Sequence, residues 1–84
     1  MKISEGLIIR KEKDFGIVFN TITNKQEFYN EVGTDILSLC DEKHTVNQII
    51  DILTNMYNGK REEIEKDLLE FIREQKEKGI IVEE

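Results

Sequence analysis

Cys40 and His44 lie close together in the chain, and a cysteine beside a histidine is the pair from which a thiolate nucleophile and its general base are made. Their surroundings argue against that chemistry. Cys40 falls on the apolar stripe Val32, Ile36, Leu37, Cys40, and free cysteine is among the most buried residue types, so a buried structural role is expected. His44 sits in the turn before the next helix and reads as an exposed loop residue. Metal chemistry is no better served, since one His, one Cys and scattered carboxylates do not make the closed four-ligand set that zinc prefers. The five glycines (6, 16, 33, 59 and 79) are isolated from one another, so no glycine-rich phosphate loop is present. The chain therefore reads as non-catalytic, with no metal and no cofactor.

Size and charge narrow the field further. Eighty-four residues make one domain, 1–84, with a small core and little room for an enclosed substrate cavity. A lone cysteine excludes an intramolecular disulfide framework. Twelve basic and 18 acidic residues give a formal charge of -6. Residues 1–30 carry +1 (five basic, four acidic), residues 31–59 carry -4 and residues 60–84 carry -3. Arg10, Lys11 and Lys13 come nearest to a basic patch, and Glu12 and Asp14 interrupt it. Nucleic acid is thus not an expected partner, because phosphates need a net positive face. The longest apolar runs are three residues, and the start lacks the apolar core of a signal peptide, so no membrane is expected and the location reads as cytoplasmic.

The elements that must carry any function follow from periodicity. Leu7–Arg10, Phe15–Asn20 and Gln26–Tyr29 read as strands of an antiparallel meander, with Ile17 and Phe19 on one face and Val18 on the other. Thr23-Asn24-Lys25 supplies the second turn, since Asn tolerates left-handed backbone angles. Asn30 caps a helix that runs to about Asp41 across a costly internal Gly33. Thr45-Val46-Asn47-Gln48 is a capping box, and Val46, Ile49, Ile50, Leu53 and Tyr57 form the stripe behind it. A third helix spans about Lys60 to Lys78, with acids early, lysines late and Gly79 as its stop. On it Ile64, Leu68 and Phe71 share one arc, which Leu69 and Ile72 widen to one side. Ile80-Ile81-Val82 either packs back or forms a short strand. The class is α+β, a three-stranded antiparallel sheet followed by three helices, and a winged helix-turn-helix arrangement fits the order.

The third strand pairs only with the second, so its far side is a sheet edge with unpaired backbone donors and acceptors. Lys25 and Glu27 are the kind of charges that protect such an edge. Alternatively an extended peptide adds itself there as a further strand, with the broad apolar face of the third helix as the other wall of a groove. The pattern alone leaves both open.

One likeness bears on that choice. It is carried by Ile17-Val18-Phe19, Phe28-Tyr29-Asn30-Glu31-Val32-Gly33, Ile36-Leu37, Thr45-Val46-Asn47-Gln48-Ile49-Ile50, Tyr57, Asp67-Leu68-Leu69-Glu70-Phe71-Ile72 and Gly79-Ile80-Ile81. In these residues the stretch from Phe15 to Val82 resembles the family of the pyrroloquinoline quinone biosynthesis protein D, leader-peptide recognition domains of ribosomal peptide modification systems. The chain departs from the family in having Tyr29-Asn30 where Leu-Asn is common, and Asn24-Lys25 where the turn often holds glycine. The resemblance implies a winged helix-turn-helix fold that does no chemistry itself. It implies binding of a precursor's leader segment as an added strand, and its delivery to a modifying enzyme such as a radical S-adenosylmethionine maturase or a leader peptidase. Carried onto this chain, it implies an edge formed by Lys25, Gln26, Glu27, Phe28 and Tyr29, and a helix wall formed by Leu68, Leu69, Ile72 and Lys76. The competing readings are a winged-helix DNA-binding domain, which needs a basic recognition helix where the second and third are acidic, and a docking module for a partner enzyme.

Overall fold

The structure, a computed structural model, describes residues 1–83. Strands β1 (Lys2–Ile3), β2 (Leu7–Lys11), β3 (Phe15–Asn20) and β4 (Lys25–Asn30) come first. Helices α1 (Glu31–Leu39), α2 (Val46–Tyr57) and α3 (Arg61–Glu77) follow, and β5 (Ile81–Val82) closes the described chain. β2, β3 and β4 form a three-stranded antiparallel sheet in that order, so the mixed α+β class read from periodicity is the class observed. β1 and β5 form a separate two-stranded pair, with Ile3 opposite Ile81. Two-residue strands carry no periodicity of their own, which is why β1 was not expected.

The sheet's two faces follow from side-chain alternation. Val18 and Tyr29 point toward the helices and are buried, while Ile17, Phe19 and Phe28 point away. Each hairpin has its own closure. The first turns at Lys13-Asp14, where the Glu12 amide donates to the Phe15 carbonyl at 2.8 Å. In the second, the Asn20 side chain accepts from the amides of Ile22 (2.9 Å) and Thr23 (3.1 Å), and Asn24 takes the left-handed conformation at φ 62°.

The core lies between this sheet and the helices, built on Leu37, Ile49, Ile50, Leu53, Leu68 and Ile81. Sheet and α1 approach closely at Gly16. A Cβ there would stand 2.1 Å from Thr34 Oγ1 and 2.8 Å from Thr34 Cβ, so no rotation of Thr34 would make room. Beside it β2 runs one residue further than expected. Lys11 is held by an ion pair at 2.6 Å to Asp35 of α1, and Tyr57 of α2 donates to the other carboxylate oxygen. Helix α1 stops at Leu39, short of the expected Asp41. The Asp41 side chain accepts from the Lys43 and His44 amides, and Glu42 turns left-handed at φ 69°.

The other helix ends are those the sequence specifies. Thr45 and Gln48 satisfy each other's backbone amides in the α2 capping box. Gly79, at φ 77°, ends α3: its amide donates to Lys76 and that of Ile80 to Gln75, the paired bonds of a Schellman stop.

Candidate functional site

β2 and β4 are the two edge strands of the sheet, and β4 is the one that α3 side chains reach. Which of its backbone groups face outward can be worked out from the hairpins. Glu12 and Phe15 are bonded across the first turn, as are Gly6 and Thr21 at the other end of the same ladder. Bonded pairs alternate in an antiparallel ladder, so Phe15, Ile17 and Phe19 turn their amides and carbonyls toward β2. Gly16, Val18 and Asn20 therefore face β4, where they oppose Tyr29, Glu27 and Lys25. Gln26, Phe28 and the Asn30 amide are left pointing away from the sheet. The Asn30 carbonyl is already occupied, accepting from Thr34 Oγ1 at 2.8 Å, so the free edge ends there.

Helix α3 runs beside this edge, and three of its residues reach β4. Phe71 meets the Tyr29 ring edge-on, with centroids 6.1 Å apart and planes at 77°. Gln75, itself buried, accepts a 2.5 Å hydrogen bond from the Tyr29 hydroxyl. Lys78, at the end of the helix, pairs with Glu27 and lies 5.8 Å from the Tyr29 ring centre. Burial, then the neighbouring Glu27 charge and its contact, push the Tyr29 phenol well above its ordinary range, so it stays a neutral donor. Close approach of α3 explains Gly33 within α1: a Cβ there would lie 3.2 Å from Phe71 Cε1 and 3.1 Å from Asn30 Oδ1. At the β3–β4 hairpin end a cavity of about 490 Å³ is lined by Leu7, Val18, Thr23, Lys25, Glu27 and Ile80.

The edge residues named from sequence are thus together, with Lys25, Gln26 and Phe28 exposed, Glu27 half-buried and Tyr29 buried toward α3. The helix residues divide. Leu69 is 48% exposed, and Lys76 is exposed and paired with Glu83 at 2.9 Å. Leu68 (1%) and Ile72 (5%) belong to the core and back the wall from behind. Phe71, Gln75 and Lys78 make the contacts with β4. Their i, i+4, i+7 spacing was visible in the sequence, but a polar Gln and Lys do not register on an apolar stripe.

The other candidate chemistry resolves differently. Cys40 is buried and donates to the Ile36 carbonyl at 3.3 Å, with its thiol pushed up by burial to about 11. His44 turns its Nδ1 to Asp41 at 2.9 Å instead of toward Cys40. Among the described residues no group of three or more His, Cys, Asp or Glu side chains could hold a metal ion, and no helix is long and apolar enough to cross a membrane.

This architecture is shared with proteins solved in complex with leader peptides. TbiB1 in complex with the TbiA(beta) leader peptide matches 95% of this chain and 93% of its own, with a TM-score of 0.82 and 28% sequence identity. A lasso peptide synthetase B1 complexed with its leader peptide superposes with the same TM-score, 0.82, over 98% and 96% of the two chains. At 15% identity that second likeness speaks to the fold alone. The chain belongs to the PqqD family: the model of coenzyme PQQ synthesis protein D matches residues 23–81. Its relatives include PqqA binding proteins of Rhodopseudomonas palustris, 35% identical in strain TIE-1 and 33% in strain BisB5, each over 54 residues and 64% of this chain. The chain spans about half (53%) of the length of these relatives.

Proposed function

We propose that this chain binds the leader segment of a ribosomally made precursor peptide as an added strand along β4, under the flank of α3. The carrying observation is the free β4 edge, with the backbone of Gln26 and Phe28 turned outward beside a helix wall. Membership of the PqqD family, and a structural neighbour solved with a leader peptide bound, support a leader peptide as the guest. In this reading Lys25 to Tyr29 supply the edge. Phe71, Gln75 and Lys78 line the groove, Leu69 and Lys76 flank it, and Leu68 and Ile72 hold the wall in place.

The binding is non-catalytic. Residues 1–84 act as one recognition domain of the winged helix-turn-helix type, working in the cytoplasm. The domain raises the local concentration of the precursor at a modifying enzyme, a radical S-adenosylmethionine maturase or a leader peptidase. Affinity in the low micromolar range or tighter, on the order of -8 kcal/mol, suits such a role. Titrating an isotope-labelled sample with a synthetic leader peptide of a candidate precursor tests the reading. The Gln26 and Phe28 amides should become protected from exchange, and the signals of Phe71, Gln75 and Lys78 should shift. Shifts confined to α2 would overturn the binding mode.

A further inference from the structure

The groove accounts for only half of what an added strand presents. Successive side chains of a strand point to opposite faces, so every second residue of the guest lies on the outer face of the sheet, away from α3. That face is largely apolar, with Arg10 and Gln26 as polar members, and no other element of the described chain pairs with it. Ile8, Phe15 and Phe28 are all exposed on it, and Phe28, on the edge strand itself, is 68% exposed. It has a neighbour on one side only: Ile17 stands opposite it in β3, the Phe15 ring lies 6.1 Å away at a tilt of 49°, and its other flank is the free edge.

Resting on the strand-addition reading above, we infer that Phe28 is a specificity-determining residue that reads one outward-facing side chain of the bound peptide. The ladder Arg10–Ile17–Phe28 crosses the sheet in register, and a fourth strand extends it by one residue. The backbone of Phe28 faces the edge, so the guest residue opposite it is fixed by main-chain bonds. That residue points outward whether the guest runs parallel or antiparallel, because opposed residues share a face in both. Next to an aromatic ring with Ile17 behind it, the favoured partner is aromatic or β-branched.

The inner side makes a different demand. The neighbouring inward positions of the guest meet the half-exposed Glu27–Lys78 pair, a charged stretch. The partner chemistry is therefore an extended peptide with an apolar residue outward opposite Phe28 and polar-tolerant residues on either side of it. An exposed phenylalanine on an edge strand is a liability in the empty protein and an asset once a strand covers its flank.

The test uses the full chain and a displayed library of random 12-residue peptides. Enriched peptides are synthesised and measured for affinity and for exchange protection of the Gln26 and Phe28 amides. Peptides that protect both amides should share an aromatic or β-branched residue at one fixed position. Phe28→Thr, which keeps strand propensity and removes the ring, should weaken them about 2- to 5-fold at unchanged Tm, and Phe28→Tyr should restore the affinity. A peptide with Ser at the fixed position should bind Phe28→Thr and the parent protein equally, the mark of direct coupling. Protection of the edge with equal affinity for Phe28→Thr would overturn the role of Phe28 and leave strand addition standing. If no selected peptide protects Gln26 and Phe28, strand addition itself fails.

Discussion

Among the described residues two polar clusters tie the edge strands to the helices, and they differ in the exposure of their ion-paired carboxylates. On the β2 side, Asp35 is buried (7% exposed) and takes Lys11 from the sheet and Tyr57 from α2. On the β4 side, Tyr29, Gln75, Glu27 and Lys78 join edge strand to α3, and the ion pair within that set is about half exposed. Burial alone would raise the Asp35 carboxyl. The hydrogen bonds from Lys11 and Tyr57 more than offset it and hold the group below the usual carboxylate range. A buried carboxylate so held has one arrangement, because losing a partner leaves it unsatisfied. A half-exposed pair can exchange its partner for water or a guest at little cost. The Asp35 cluster and the buried Tyr29–Gln75 bond are thus held in place, and on the β4 side only the Lys78–Glu27 pair is free to exchange partners.

Substitutions can break that contrast. The largest effect is expected at Gly16→Ala, where the new methyl would meet Thr34 backed by its own helix. Overpacking of this kind costs about 3 kcal/mol or more, read as a fall in urea midpoint. Asp35→Ala should follow at about 2–4 kcal/mol, since it removes the centre of a buried polar cluster. The pH dependence carries the same signature. The folded Asp35 pKa lies below the unfolded value of about 3.9, so its contribution is complete above that pH and is lost as pH falls through the folded value. Stability curves of the parent and Asp35→Asn should therefore converge below about pH 4. Tyr29→Phe should cost about 1–2 kcal/mol, because it strands the buried Gln75 carbonyl. Lys78→Ala should change stability by less than about 1 kcal/mol in thermal melts while altering peptide affinity. If Lys78→Ala instead destabilised as much as Asp35→Ala, the two ties would be equivalent and the contrast would go.

How much of this was legible in the sequence also differs between the two sides. The three meander strands, the alternation that sets Val18 opposite Ile17 and Phe19, the α2 capping box and the Gly79 stop all follow from neighbours within a few residues, and all are present; which face is inward does not. The open edge of β4 follows from strand order, which a meander dictates. What was not legible depends on docking between distant segments. Asp35 looked like one more acid on a helix, since Lys11 and Tyr57 lie 24 and 22 residues away. The α3 face could be drawn as an arc, but the angle at which the helix meets the core decides that Leu68 and Ile72 are inside and Leu69 outside. For the same reason Phe71 touches Tyr29 while Gln75 and Lys78, polar and invisible to the stripe, complete the groove.

The engagement of the Asn30 carbonyl by Thr34 has a consequence in time. It closes one end of the edge, so under the proposed strand addition Gln26, Phe28 and one amide at Asn30 would be left to bond a guest. So short a ladder would hold it briefly. At a Kd of about 1 μM and an association rate of about 10⁶ M⁻¹s⁻¹, dissociation proceeds at about 1 s⁻¹. On the proposed reading, a leader held at that affinity would exchange about once a second, which would leave time for hand-over to a second protein.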